Sequence, residues 1–281
     1  MDIKFFQTFL EVVKTRHFGR AGEKLYISQS TVSSRIKILE SYYDTKLLTR
    51  DRNNISLTST GERLVGYAEL ITNTSIRSKL ELSLTSGVDL QIKLAGTPNV
   101  WDAYLNDFLS YATKNFEKHS FIADFQSRDQ IRENLLNNTL DLAFTLEPVI
   151  AAGVSSTKVS KINIGLVHTV NWKEDSLCRY IYVDWGPQFA VAQSSLLGGP
   201  VIPCLRTSSS NIALNYMIKN RGGAYLPLKS VQNLISSGQL VQSLAAGIWE
   251  QSIYLNYMNN DVPPDVSSFI ENIMYQLDSC E

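Results

Sequence analysis

A run of short hydrogen-bonding side chains between positions 28 and 37 is the part of this sequence best equipped for chemistry. Gln29, Ser30, Ser33, Ser34, Arg35 and Lys37 fall outward or sideways on a helix whose inward stripe is Val32, Ile36, Leu39 and Tyr43. No acid interrupts that face before Glu40. Small hydroxyls let a helix approach base edges closely. Gln29 can pair with an adenine edge, and Arg35 or Lys37 can reach guanine or phosphate. The same pattern also suits a plain three-helix bundle with one solvated side, so spacing alone leaves both readings open.

Such a helix must be held by others. Ile3, Phe6, Leu10 and Val13, widened by Phe5 and Phe9, predict a first helix ending near Thr15-Arg16. Ala21 and Leu25 share a face of a short second helix, Tyr26-Ile27 makes a turn, and Ser28 can cap the third. Two short helices, a tight turn and a polar third helix meet the requirements of major-groove docking. Strand-like residues then flank Asn53-Asn54, a turn pair tolerant of positive φ. They predict a hairpin, or wing, with Arg50 and Arg52 near its tip, suited to phosphate or minor-groove contact. A solvated surface hairpin is the alternative.

Other chemistries find less support. The sequence has no GxxxxGK[ST], HExxH, GxSxG or CxxC. His17, His119 and His168 are scattered, and helix capping explains Ser208-Ser209-Ser210 better than nucleophilic catalysis does. Cys178, Cys204 and Cys280 are far apart and read as reduced structural thiols. No enzyme activity, metal or cofactor is expected. The alternatives are a small-molecule-binding protein or an enzyme with an incidental helical N-terminal domain.

The chain has 281 residues, 44% hydrophobic and 19% charged, enough for more than one core. Its formal net charge of -1 hides an asymmetry. Through Val65 there are 11 Lys and Arg against 7 Asp and Glu, and beyond it 15 against 20. A modestly basic first unit on an acidic body fits a nucleic-acid reader joined to a separate module. No run of about 18 apolar residues suggests a membrane span. Met1-Asp2-Ile3-Lys4 does not open a secretory leader, so a cytoplasmic location is expected.

From Phe9 to Thr60 several motifs occur in order: Arg20-Ala21-Gly22-Glu23-Lys24-Leu25, then Ser28-Gln29-Ser30-Thr31-Val32-Ser33-Ser34-Arg35-Ile36, then Leu39-Glu40 and Leu48-Thr49-Arg50. Together they resemble the DNA-binding domain of LysR-type transcriptional regulators, and Leu57-Thr58-Ser59-Thr60-Gly61-Glu62 resembles that family's entry into its linker helix. The chain departs from the usual pattern with Gly22 for Ala, Tyr43-Asp44 for Leu-Gly and Leu48 for Phe. The resemblance implies a winged helix-turn-helix over 1–58. DNA contacts are expected from Arg20, Ser28, Gln29, Ser30, Thr31, Ser33, Ser34, Arg35, Lys37, Arg50 and Arg52. It also implies a linker helix over 59–87 that makes a dimer or tetramer. The apolar stripe Leu64, Tyr67, Ala68 and Ile71 supplies that interface, although the heptad is not sustained.

Beyond Gly87 strands and helices alternate, which predicts a parallel α/β sheet. Strands are expected at Leu90–Ala95, Ile122–Phe125 and Leu140–Phe144. A second series is expected at Ile164–His168, Tyr180–Asp184, from Val201-Ile202, and at Ala224–Pro227. A strand at Ile253–Met258 and a helix at Val266–Leu277 return the chain to the first lobe. Leu140-Asp141-Leu142-Ala143-Phe144 and Gly223-Ala224-Tyr225-Leu226-Pro227 resemble motifs of the LysR-type two-lobed effector domain, itself like periplasmic solute-binding proteins. The fold class implied is α+β multidomain, with residues 88–281 forming that domain: a first lobe of about 88–161 and 259–281, and a second of about 162–258. The segment Thr169–Ser176 is short and lacks the family's usual His-Pro-Leu-type stretch. Tyr182-Val183-Asp184-Trp185-Gly186 with Arg206-Thr207-Ser208-Ser209 resembles a subgroup that includes an enterobacterial repressor of the flagellar master operon, which implies motility control.

Ligands on such sheets bind at strand carboxyl ends and helix N-termini. Thr97 and Asn99 of the first lobe and Thr207, Ser208 and Ser209 of the second are therefore expected to offer hydroxyls and unpaired N–H groups to one cleft. Arg128 is expected to add a charge at the rim. The expected effector is a small anion or polar carboxylated metabolite. Ordinary helix caps around a cleft with no physiological ligand are the alternative.

Overall fold

The computed structural model describes residues 1–51, 54–82, 90–170, 172, 179–259 and 264–278. Met1–Ser86 lies in one compact unit, and Gly87–Leu136 with Leu140–Glu281 makes the other.

In the first unit, helices α1 (Ile3–Thr15), α2 (Phe18–Leu25) and α3 (Gln29–Tyr42) precede an antiparallel hairpin of β1 (Leu48–Asp51) and β2 (Asn54–Leu57), and helix α4 (Ser59–Leu82) follows. Each of the first three helices starts on a side-chain cap. Asp2 accepts from Lys4 N–H, the ring of His17 accepts from Gly19 and Arg20 N–H, and Ser28 accepts from Thr31 N–H. These bonds satisfy donors that a helix start otherwise leaves open. Phe6, Phe9 and Val12 of α1 meet Ala21 of α2 and Val32, Ile36 and Leu39 of α3 in one core. Gly22 lets the turn close, because a Cβ there would stand 2.6 Å from the Ile27 carbonyl oxygen. The expected stripe residue Tyr43 instead ends α3 and is 38% exposed. The next residue, Asp44, takes φ 48, the left-handed conformation a glycine would normally supply.

One correction concerns this unit. Leu64, expected at a subunit interface, is 7% exposed and packs in the unit's own core. Its helix lies against α1, and an amphipathic helix buries its most apolar turn there first. Arg52 and Asn53 of the expected wing tip lie outside the described residues.

The second unit begins with β3 (Leu90–Gly96), then a continuous helix made of α5 (Pro98–Val100), a π-helical turn (Trp101–Leu105) and α6 (Asn106–Asn115). Strand β4 (His119–Phe125), helix α7 (Arg128–Leu136) and strand β5 (Leu142–Thr145) follow. Then come β6 (Val154–Thr169), β7 (Tyr180–Val183), α8 (Pro187–Leu196), β8 (Leu205–Thr207), α9 (Ser210–Asn220), β9 (Gly223–Pro227), α10 (Leu228–Ser236), β10 (Leu240–Gln242), β11 (Trp249–Met258) and α11 (Pro264–Asp278). Strands β4, β3 and β5 are parallel neighbours in one half of the sheet, and β9, β7 and β8 in the other. The antiparallel pair β6 and β11 joins the halves. Strands β5, β7 and β9 are buried along their whole length, as parallel strands covered on both faces are.

Sequence reading missed α8 and β10. The segment expected to open at Val201-Ile202 forms its strand at Leu205–Thr207, leaving Ile202 94% exposed. The segment Thr169–Ser176 lies largely outside the described residues.

Candidate functional site

The outward face of α3 is built on the core beneath it. Arg20, Gln29, Ser30, Ser34 and Lys37 are exposed, while Thr31, Ser33 and Arg35 are half-buried. The Ser28 hydroxyl caps α3 and lies 2.8 Å from both the Ser30 and Thr31 hydroxyls. One guanidinium nitrogen of Arg35 donates to Thr8 Oγ1 on α1 at 3.1 Å, which ties the tip of that side chain back to α1. Tyr26, in the turn before α3, takes φ 55 and is 96% exposed. Sequence reading singled it out only as a turn residue.

Glu40, which is buried, closes the far end of α3. One carboxylate oxygen accepts from Leu47 and Leu48 N–H at 3.1 and 3.4 Å, and the other from Lys46 Nζ at 2.8 Å. Burial pushes its pKa up. The Lys46 bond and the two backbone N–H groups outweigh burial and hold the carboxyl below its ordinary value. Glu40 therefore fixes the start of the hairpin relative to α3. Of the hairpin arginines, Arg50 pairs its Cα with Ile55 in the β1–β2 register.

On α4, Tyr67 and Ile71 are 65% and 40% exposed and stand four residues apart, one helical turn on the same face.

In the second unit, a cavity of about 390 Å³ opens where strands β3, β4 and β7 end. Thr97, Pro98, Asn99, Phe125, Gln126, Ser127, Arg128, Asp184 and Ser208 line it. Thr97, Asn99, Arg128 and Ser208 of the expected set are thus brought together. Thr207 and Ser209 are not among the lining residues. Pro98, Phe125, Gln126, Ser127 and Asp184 were missed as lining residues, although Asp184 belongs to a segment whose sequence stood out.

The polar groups here are largely engaged with one another. The Thr97 hydroxyl donates to Asn99 Oδ1 at 2.9 Å, and Asn99 Nδ2 donates to the Asp184 carbonyl. Arg128, expected as an open charge at the rim, pairs with Glu147 at 2.8 Å. Gly186, at φ +98, passes beside that pair; a Cβ there would stand 3.4 Å from Arg128 Nη2 and 3.5 Å from Glu147 Oε1.

The turn before α9 departs most from expectation. Ser208 faces the cavity, but the groups beside it are taken. Thr207 Oγ1 accepts from Ser209 N–H at 3.1 Å, and Ser209 Oγ accepts from Ile212 N–H at 3.3 Å. Asp102 accepts from Ser209, Ser210 and Asn211. A helix N-terminus attracts an anion, and the chain's own carboxylate fills it.

Among the described residues, no group of three or more His, Cys, Asp and Glu could hold a metal ion. None of their helices is long and apolar enough to cross a membrane.

Residues 3–62 match the family model described as bacterial regulatory helix-turn-helix protein, lysR family. The HTH-type transcriptional regulator HdfR of Escherichia coli O17:K52:H18 (strain UMN026 / ExPEC) is 33% identical over 271 residues, covering 93% of this chain and 96% of its own. Full-length CbnR, solved in complex with its target DNA, superposes with a TM-score of 0.67 at 15% identity, covering 99% of this chain and 100% of that one. Full-length LysG from Corynebacterium glutamicum, solved with its effector Arg bound, gives 0.59 at 16% identity, covering 99% of both chains. At these identities the two structures show a shared fold.

Proposed function

The chain belongs to the LysR family of bacterial regulators and is a DNA-binding transcriptional regulator, and from that premise we propose which of its parts read DNA, pair subunits and bind an effector. The outward face of α3 reads base edges through Gln29, Ser33 and Arg35. Arg20, Ser28, Ser30, Thr31, Ser34 and Lys37 set the helix against neighbouring bases and phosphates, and Arg50 and Arg52 hold the backbone from the hairpin. The observation that carries this reading is the exposed run of hydrogen-bonding side chains on a helix capped by Ser28 and seated on one core. Residues 1–58 are the reading head, 59–87 the connector and 88–281 the sensor.

Two copies present two heads. Tyr67 and Ile71, exposed on one face of α4, are the apolar contribution to that pairing. Half-sites are then about 10 bp apart or a multiple of that. Because its target is DNA, the protein works in the cytoplasm. Control of motility genes is the regulatory role that the residues 182–186 and 206–209 suggest.

The cavity takes a polar metabolite. About 390 Å³ suits a small molecule. Its lining is rich in hydroxyl and amide groups, and Arg128 and Asp184 bring charges of both signs. A ligand that binds one lobe arrangement better than another shifts the population of heads able to dock.

Genome-wide mapping of bound DNA in the native host tests the central reading. Discrete sites sharing a two-fold motif support it, and uniform recovery across the chromosome would refute it.

A further inference from the structure

The helix running from Pro98 to Asn115 lies in the first lobe, yet three of its side chains cross to the second. Asn99 donates to the Asp184 carbonyl, and Asp107 pairs with Lys229 at 2.9 Å. The Lys229–Asp107 pair is well exposed on both sides, and exposed ion pairs hold little.

Asp102 between them is engaged far more heavily. Its Oδ2 accepts from the Ser209 hydroxyl at 2.8 Å, the Ser210 hydroxyl at 3.0 Å and the Asn211 N–H at 2.9 Å. Its Oδ1 accepts from the Asn211 side-chain amide at 2.7 Å. Four donors match the acceptor capacity of one carboxylate. They lie 107 to 109 residues away in sequence, so no local turn accounts for them. They belong to the start of α9, where the helix dipole adds to the attraction. Asp102 also sits in the π-turn Trp101–Leu105, and an extra residue in a helical turn re-aims the side chains it carries.

We propose that Asp102 is a clasp built into the chain. Its carboxylate takes the place at the start of α9 that a bridging anion would otherwise fill, and it ties the two lobes together beside the cavity. The clasp does not depend on the cavity being an effector site.

The test is a distance between lobes in the full chain. Spin labels are placed at Lys114→Cys and Lys219→Cys, exposed positions in the first and second lobe, with Cys178, Cys204 and Cys280 replaced by Ser. Dilution with unlabelled chain restricts the reading to distances within one molecule. The parent gives one narrow distribution. In Asp102→Ala a second, longer population appears, because the lobes are no longer held. A distribution unchanged from the parent overturns the proposal. If Asp102→Ala does not fold, Ser210→Ala/Asn211→Ala removes two of the four donors and leaves the Ser209 cap. The same distance is then read from that variant: a longer population supports the clasp, and an unchanged distribution overturns it. Loss of a local cap alone would not lengthen it.

Discussion

The outward face of α3 and the cavity at the strand ends carry similar side chains, hydroxyls, amides and charges, but spend them differently. On α3 the Ser28 hydroxyl bonds near neighbours and Arg35 bonds the helix behind, while several other groups of the set point into solvent. Around the cavity, Asn99 reaches Asp184 and Asp102 reaches α9, so groups far apart in sequence satisfy one another. The first arrangement is ready for a partner with little rearrangement. The second must exchange internal bonds before it can respond, which suits a sensor with two arrangements.

The largest effect separates folding from pairing within the first unit. Leu64→Ala should cost about 2–5 kcal/mol, the range for truncating a core leucine. Tyr67→Glu/Ile71→Glu alters exposed positions and should leave the unit folded while sedimentation shifts toward monomer. Equal unfolding midpoints for Leu64→Ala and the parent in urea would break the distinction.

Glu40 is a buried carboxylate of the first unit that behaves like the cleft, satisfied from inside. Its depressed pKa means that its stabilisation is present above the ordinary carboxyl value and is lost as pH falls through the lowered one. Glu40→Gln should cost about 1–3 kcal/mol at neutral pH. It should also flatten the acid limb of the unit's stability curve. Amide exchange at Leu47 and Leu48 reports this directly, and an acid limb as steep as in the parent would contradict the assignment.

Thr97→Val removes one bond of the cavity network and should cost the second unit about 1 kcal/mol, read in thermal melts followed by tryptophan fluorescence. All four tryptophans, Trp101, Trp172, Trp185 and Trp249, lie in that unit. An unchanged melting temperature would mean that the Thr97–Asn99 bond contributes nothing. The smallest effect is a gain. Asp44→Gly relieves a left-handed backbone, and after the extra freedom of unfolded glycine it should stabilise the first unit by about 0.5–1 kcal/mol. A loss of stability would show that the Asp44 side chain holds the turn.

The same contrast governs what the sequence disclosed. The first three helices carry apolar stripes and a cap residue at Ser28, all local signals. In β6 only the half from Ile164 onward is continuously buried, and that half was visible; the preceding half, rich in Ser, Thr and Lys, was not. Helix α8 buries Phe189 with no repeating stripe around it, so periodicity had nothing to register. Thr97, Asn99, Arg128 and Ser208 were found from their places beside strand ends and helix starts. Asp102 was not, because its meaning lies in donors more than a hundred residues away. Leu64 belonged to a genuine stripe, but periodicity does not say which surface a stripe will meet.

Whether α3 reads sequence is best tested by fluorescence anisotropy of the full chain on its native operator and on a scrambled duplex at one salt concentration. Gln29→Ala is expected to weaken operator binding by about 5- to 150-fold, the 1–3 kcal/mol of a bidentate base contact, and to leave scrambled-duplex binding unchanged. Equal operator binding by Gln29→Ala and the parent would contradict a reading role for α3.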